Sequence, residues 1–197
     1  MFLKKIKFIA YLFPFFVYAP NVFGVKDKQG REINLEWDST LAESDKNVSY
    51  KSYASQEKDY KKFEINLKKH LQNFHLDIEN EIETEKNLPL NNSERKYYLM
   101  RAKHEDTVCG FAYFKKEEIQ NKASFLLQFI ALLPEYQGGG IGKYLVFGIH
   151  EKFPETTISL DVRAFNTNAQ AFYEHLGFSK KETKETGYIR YVWEKQL

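Results

Sequence analysis

Only one cysteine, Cys109, occurs in the 197 residues, so no intrachain disulfide can form. It sits in the apolar strand pattern V-C-G-F-A-Y-F and reads as a core residue rather than a nucleophile. An excess of one charge is also missing: 29 Lys and Arg face 27 Asp and Glu. That balance implies no strongly basic face and argues against nucleic acid as a main partner. The apolar run Phe8 to Ala19 is interrupted by Pro14 and falls short of the ~20 residues a spanning helix needs. Internal repeats and low-complexity tracts are absent. His70 and His75 have no second ligand at metal-site spacing; they read as ordinary surface or edge histidines, and no metal is expected.

The chain opens with Lys4, Lys5 and Lys7 ahead of that short apolar run, and Val22 and Gly24 suit positions −3 and −1 of a cleavage site. Residues 1–24 therefore read as a signal peptide, with residues 25–197 forming one domain that is exported, periplasmic or secreted. Without cleavage the chain would stay cytoplasmic or membrane-anchored. Cleavage would leave no stable membrane span and would change the balance to 26 basic against 27 acidic residues. No cysteine lies in the leader, so a lipoprotein anchor is not expected.

The domain is organised around Leu126 to Lys143, L-L-Q-F-I-A-L-L-P-E-Y-Q-G-G-G-I-G-K. Phe125 to Leu133 has strand length and stops at Pro134. Gln137, Gly138, Gly139, Gly140, Ile141, Gly142 and Lys143 follow, and then the apolar start of a helix expected to run to about Phe153. Strand, glycine loop and helix start leave several backbone N–H groups unpaired and convergent, which is an anion cradle suited to phosphate or pyrophosphate. A Walker loop would need glycine at 137 and Ser or Thr at 144, where Gln137 and Tyr144 stand. A dinucleotide fingerprint would need glycine at 143 or 145, where Lys143 and Leu145 stand. Both nucleotide readings fail on spacing.

Around this stretch, Glu32 to Trp37 is strand-like within a mixed polar segment. Tyr60, Phe63, Leu67, Leu71 and Phe74 recur at helical intervals, predicting one amphipathic helix of about four turns. Asp77 to Ser93 is acidic and ends in Leu88-Pro89-Leu90-Asn91-Asn92-Ser93, which reads as a turn or mobile loop. Lys96 to Lys103 and Thr107 to Phe114 form a hairpin about His104 to Asp106, with a polar stretch from Lys115 to Lys122 beyond it. Thr157 to Val162 is strand, Asn168 to Leu176 helix capped by Gly177, and Tyr188 to Trp193 a closing strand.

A second block, N-x-x-A-x-x-x-Y-x-x-x-G-F, comprises Asn166, Ala169, Tyr173, Gly177 and Phe178. Paired with Q-x-x-G-x-G at Gln137 to Gly142, it resembles the two halves of the GNAT superfamily of acyl-CoA N-acetyltransferases. The clear resemblance covers Phe125 to Phe178. Ile130 to Leu132, Pro134, Tyr136, Gln137 and Val162 to Ala164 look nearest to the ribosomal-protein-alanine N-acetyltransferase branch. The resemblance implies an α/β (α+β) fold: a mixed, mostly antiparallel sheet flanked by helices. It implies acetyl-CoA as co-substrate and an amine acceptor, a peptide N-terminus or a small amine, acetylated by direct transfer. Ile130, Ala131 and Leu132 would pair with acetyl-CoA through their backbone, residues 138–143 would hold its pyrophosphate, and Asn166 would contact it. Tyr173 would be the general acid, and Asp161, one methylene shorter than the branch's glutamate, the general base directly or through water. Gln128 stands where many relatives carry an acid.

Each role has a plainer counterpart. Asp161 alternates with Leu160 and Val162 as the polar face of a strand would, Asn166 could simply cap a helix, and Tyr173 could be core. The contrasting function is a catalytically weak CoA-binding sensor or interaction module of the same fold. A markedly acidic pocket would instead favour a polyamine or aminoglycoside acceptor.

Overall fold

The computed structural model describes residues 22–119, 122–154, 156–183 and 186–194, so most of the predicted leader lies outside the described residues. Eight strands form one sheet: β1 (Val22–Lys26), β2 (Glu32–Asp38), β3 (Tyr97–His104), β4 (Thr107–Ile119), β5 (Lys122–Leu132), β6 (Thr157–Arg163), β7 (Ser179–Thr183) and β8 (Tyr188–Trp193). Their order is β1-β2-β3-β4-β5-β6-β8-β7. Every pairing is antiparallel except β5 with β6. That parallel pair needs a crossover, and α4 (Ile141–Phe147) with α5 (Ile149–Lys152) supplies it.

Side chains alternate across a strand, so each face of the sheet has its own cover. One face carries α1 (Glu43–Tyr53), α2 (Glu57–Lys62) and α3 (Leu67–Glu83). There Phe129 of β5 stacks on Tyr53, Phe74 and Phe111, with ring centroids 5.4, 4.8 and 5.4 Å apart. Burying one such ring is worth roughly 1.5–3 kcal/mol. The other face carries α4, α5 and α6 (Thr167–His175), with Leu145 packed over Gly110 of β4 and Phe153 against Tyr98 of β3. The core is continuous across both layers.

Several boundaries differ from the sequence reading. The single amphipathic helix is two, because Asn66 caps a new start: its side chain accepts from Lys69 N at 2.9 Å. α3 runs on to Glu83 into the acidic stretch, since Ile78 and Ile82 continue its buried stripe, and the turn expected at Leu88 to Ser93 follows it. The polar stretch after Phe114 is strand, with β4 extending to Ile119 and β5 starting at Lys122. The helix after the glycine loop breaks at Gly148, where the chain presses against Met100. α1 lies within the segment read as mixed and polar. Cys109 is fully buried, and burial pushes its thiol up to about 11.

Candidate functional site

The fold parts at one place. β5 and β6 pair only from Ser124–Thr157 to Leu127–Leu160 and then separate. At the same level the β4 register shifts from Tyr113–Phe129 to Phe114–Leu127, so Gln128 is the extra residue of a bulge. A bulge bends its strand and sharpens the local twist, which carries β5 away from β6. The resulting cleft, about 290 Å³, is lined by both strands beyond their separation and by Tyr53, Tyr60, His70, Asn166, Tyr173 and Tyr188 among others. Gln128 Oε1 is buried there, and among the described residues it has no hydrogen-bond partner.

Parting the strands exposes half of the β5 edge. Leu133 N donates to Cys109 O at 2.8 Å, which fixes the alternation of the β4–β5 ladder. Ala131, opposite Phe111, turns its peptide groups towards β4, whereas those of Ile130 and Leu132 point away from it. Side chains cover part of that free edge. Tyr53 Oη donates to Ile130 O at 3.3 Å, Ser52 Oγ accepts from Leu132 N at 3.4 Å, and Gln137 Nε2 donates to Leu132 O at 2.9 Å. The Ile130 N–H has no ladder partner beyond the end of the β5–β6 pairing. Of the three strand residues expected to meet a ligand through their backbone, Ile130 is thus the best exposed and Ala131 the least. Gln137 braces the strand end.

Past Gln137 the glycine loop has the predicted form. Gly140 takes a φ of +90°, a region other residues enter only with strain, and forms the N-cap of α4. Among the described residues no protein acceptor takes the amide protons of Gly138, Gly139, Gly140, Ile141 or Gly142. Five consecutive free donors at a turn make a concave site for an anion. Lys143 is exposed in the first helical turn, whereas the Ile141 side chain is fully buried. Gly142 faces the ring of Phe172 of α6, so a Cβ there would lie 3.0 Å from the ring.

The loop is braced from a direction that no local pattern announced. Lys28, in the β1–β2 turn, donates its N–H to Gly139 O at 2.9 Å. Asp27 anchors that turn by accepting from Gln29 N and Arg31 N, both at 2.9 Å, and from Arg31 Nε at 2.6 Å. Arg31 lies over the ring of Tyr136, 4.1 Å from its centroid.

Tyr173 comes from α6 on the opposite face of the sheet to α1. Its side chain is buried beside Phe172 and Phe178, and burial raises its phenol well above the ordinary value. It therefore keeps its proton at neutral pH. Asp161 also lines the cleft, but Arg190, directly opposite on β8, holds both of its oxygens: Nε to Oδ1 at 2.6 Å and NH2 to Oδ2 at 2.9 Å. Asn166 caps α6, accepting from Ala169 N at 3.1 Å, and donates to Gln56 Oε1 at 3.2 Å. Both ends of its carboxamide thus serve the protein.

Sequence reasoning missed Tyr53, Arg163, Arg190 and His70. His70 lines the cleft, and burial followed by the charge of Arg163 lowers its pKa. His75 is no edge residue either: it is buried, with Nε2 2.6 Å from Ser49 Oγ. Ser49 spends its one proton on Lys46 O, so His75 Nε2 carries the hydrogen between them. The periodicity placing Tyr60, His70 and Phe74 together on the α2–α3 segment was the available signal for His70.

The cleft is made by parting two parallel strands rather than by closing two domains. The chain belongs to the acetyltransferase (GNAT) family, whose model matches residues 60–178 and whose members draw their acyl group from acetyl-CoA. It is similar to the 5-NmdU N-acetyltransferase of Pseudomonas phage PaMx11, 33% identical over 84 residues that are 43% of this chain and 59% of that protein. It also resembles the [ribosomal protein bS18]-alanine N-acetyltransferase of Haemophilus influenzae, 32% identical over 102 residues, 50% of this chain and 66% of that one. The chain thus spans less than two thirds of either relative. Among solved structures, a PaiA N-acetyltransferase from Thermoplasma acidophilum in complex with coenzyme A shares the fold, with a TM-score of 0.58 at 22% identity over 82% of this chain and 99% of that one. The GNAT domain of S. lividans PAT does so at 0.60 and 13% identity, over 88% and 97%.

Proposed function

We propose that the protein transfers an acetyl group from acetyl-CoA to a primary amine, directly and within the β5–β6 cleft. The observation that carries this is the placement of a buried, protonated Tyr173 in the same cleft as the free Ile130 N–H, beyond which lies the run of five unengaged amides. The amides of Gly138 to Gly142 hold the pyrophosphate, with Lys143 alongside as a cation. Acetyl-CoA, when bound, supplies the acetyl group as a thioester. The Ile130 N–H donates to the carbonyl oxygen, where negative charge develops during acyl transfer. Tyr173 Oη gives its proton to the departing sulfur. Asp161 takes the amine proton through a water, because Arg190 already occupies both carboxylate oxygens. An N-terminal amine has a reference pKa of about 7.7–8.0, so its deprotonation near neutral pH costs only ~1 kcal/mol and needs no strong base.

The test is intact-mass detection of acetylated products from a panel of peptides and small amines. Tyr173→Phe keeps the ring and removes the proton; turnover should fall ~10²–10⁴-fold while acetyl-CoA affinity holds. Wild-type turnover in that variant, where chemistry limits the rate, removes Tyr173 from the mechanism. A wild-type chain that binds acetyl-CoA and acetylates nothing would be a sensor.

We also propose export, resting on Lys4, Lys5 and Lys7 ahead of the apolar run. Cleavage after Gly24 removes the first three residues of β1 and leaves the Asp27 turn intact. N-terminal sequencing of the native protein should start at Val25; Met1 on a soluble cytoplasmic protein overturns the proposal.

A further inference from the structure

The mouth of the cleft on the α1–α3 face is built from aromatic rings around one cation. Arg163 ends β6, and its guanidinium carbon lies 4.6 Å from the ring centroid of Tyr188, 5.6 Å from Tyr60 and 6.0 Å from Phe165. Beside it, Phe63 is half exposed and stacks on Phe165 with centroids 4.8 Å apart. Rings over a guanidinium hold its plane; the Tyr60 hydroxyl engages part of the N–H edge of Arg163 and leaves the rest to a ligand. Among the described residues no carboxylate pairs with Arg163, and Asp161, the carboxylate lining the cleft, is bound by Arg190. His70, on the same side, is kept neutral near pH 7 by burial and by Arg163 itself. The glycine loop opens α4 on the other face of the sheet, so Arg163 faces the approach left to the acceptor.

We propose that the amine acceptor carries a carboxylate close to the amine, as a free amino acid or as a peptide with an acidic residue near its N-terminus, and that Arg163 binds this carboxylate edge-on. The inference rests on the acetyl-transfer reading and names its acceptor class. A guanidinium offers two parallel N–H groups matched to a carboxylate, and the half-buried setting strengthens the pair. The same cation repels polyamines and aminoglycosides, and no uncommitted carboxylate in the cleft offsets it.

The test compares kcat/KM for peptides of one sequence with Asp, Asn or Lys at the second position, together with free aspartate and spermidine, in wild type and Arg163→Gln. The wild type should prefer the Asp peptide over the Asn peptide at least tenfold, and Arg163→Gln should bring that ratio close to one, mainly through KM. Free aspartate as the better substrate would identify a small-molecule acceptor; the peptide as the better one, a protein N-terminus. A wild-type ratio near one, a ratio kept in Arg163→Gln, or spermidine as the preferred substrate would each overturn the proposal. Calorimetric binding of the Asp peptide in the presence of coenzyme A separates this site from catalysis. Tenfold weaker binding to a folded Arg163→Gln supports the carboxylate site even if no amine is acetylated, and equal binding ends it.

Discussion

Arg101 and Arg163 both rise from the sheet on the face covered by α1–α3, and the contrast between them separates the closed part of the molecule from the open one. Arg101 is buried in the antiparallel region. It donates to Asp45 Oδ1 at 2.8 Å and Oδ2 at 2.6 Å, to Thr40 O at 2.7 Å, and to Asp38. Asp45, fully buried, also accepts from Ala42 N at 2.7 Å, so the cluster fastens the start of α1 to β3. Arg163, where the strands part, has rings on its faces and no such acids. One cation is consumed by the fold, and the other is the one proposed to meet the acceptor's carboxylate.

The largest expected effect tests that division by stability. Arg101→Met strands Asp45 as a buried charge and should lower the unfolding free energy by about 3–5 kcal/mol. Arg163→Met should lower it by only about 1 kcal/mol, the scale of a partly exposed cation–π contact. Urea unfolding of the two variants side by side measures the difference, and equal losses would erase the distinction.

A smaller effect uses the two histidines. His75 is buried in the closed region, and burial followed by the charge of Lys46 lowers its pKa. Between its folded value and the unfolded value near 6.5 the unfolded chain binds more protons. Stability should therefore be fully present above about pH 6.5 and decline as pH falls through the folded value. His75→Gln should flatten this part of the profile, read as urea midpoints from pH 8 to pH 5. An unchanged slope would assign the titration to His70 or to another group.

Local patterns were the readable part of the fold. β2, the β3–β4 hairpin, β5, β6, α6 and the glycine loop all follow from runs of adjacent residues. α1 was illegible because its buried positions are Asp45, Val48 and Ser49, two of them polar and partnered by Arg101 and His75 from distant parts of the chain. The Asp161–Arg190 pair needs β8 beside β6, a neighbour relation that no stretch of sequence states. The bulge at Gln128 was hidden for the same reason: it exists only as a mismatch of register between two strands. Asn166 had two local readings, cap and ligand contact, and its bonds to Ala169 and Gln56 favour the cap.

The β1–β2 turn that grips Gly139 has a consequence for the thermodynamics of donor binding. A glycine-rich loop free to wander would surrender about 1–2 kcal/mol for each residue fixed when it wraps an anion. Here Lys28 N–H, the Asp27–Arg31 pair and the stacking of Arg31 on Tyr136 splint the loop from within the protein. Much of that ordering is settled during folding, before any ligand arrives. The Asp27, Lys28 and Arg31 side of the splint precedes residue 60, where the match to the family begins. An N-terminal ribbon outside the matched segment thus stiffens the site where the donor's phosphates are proposed to sit.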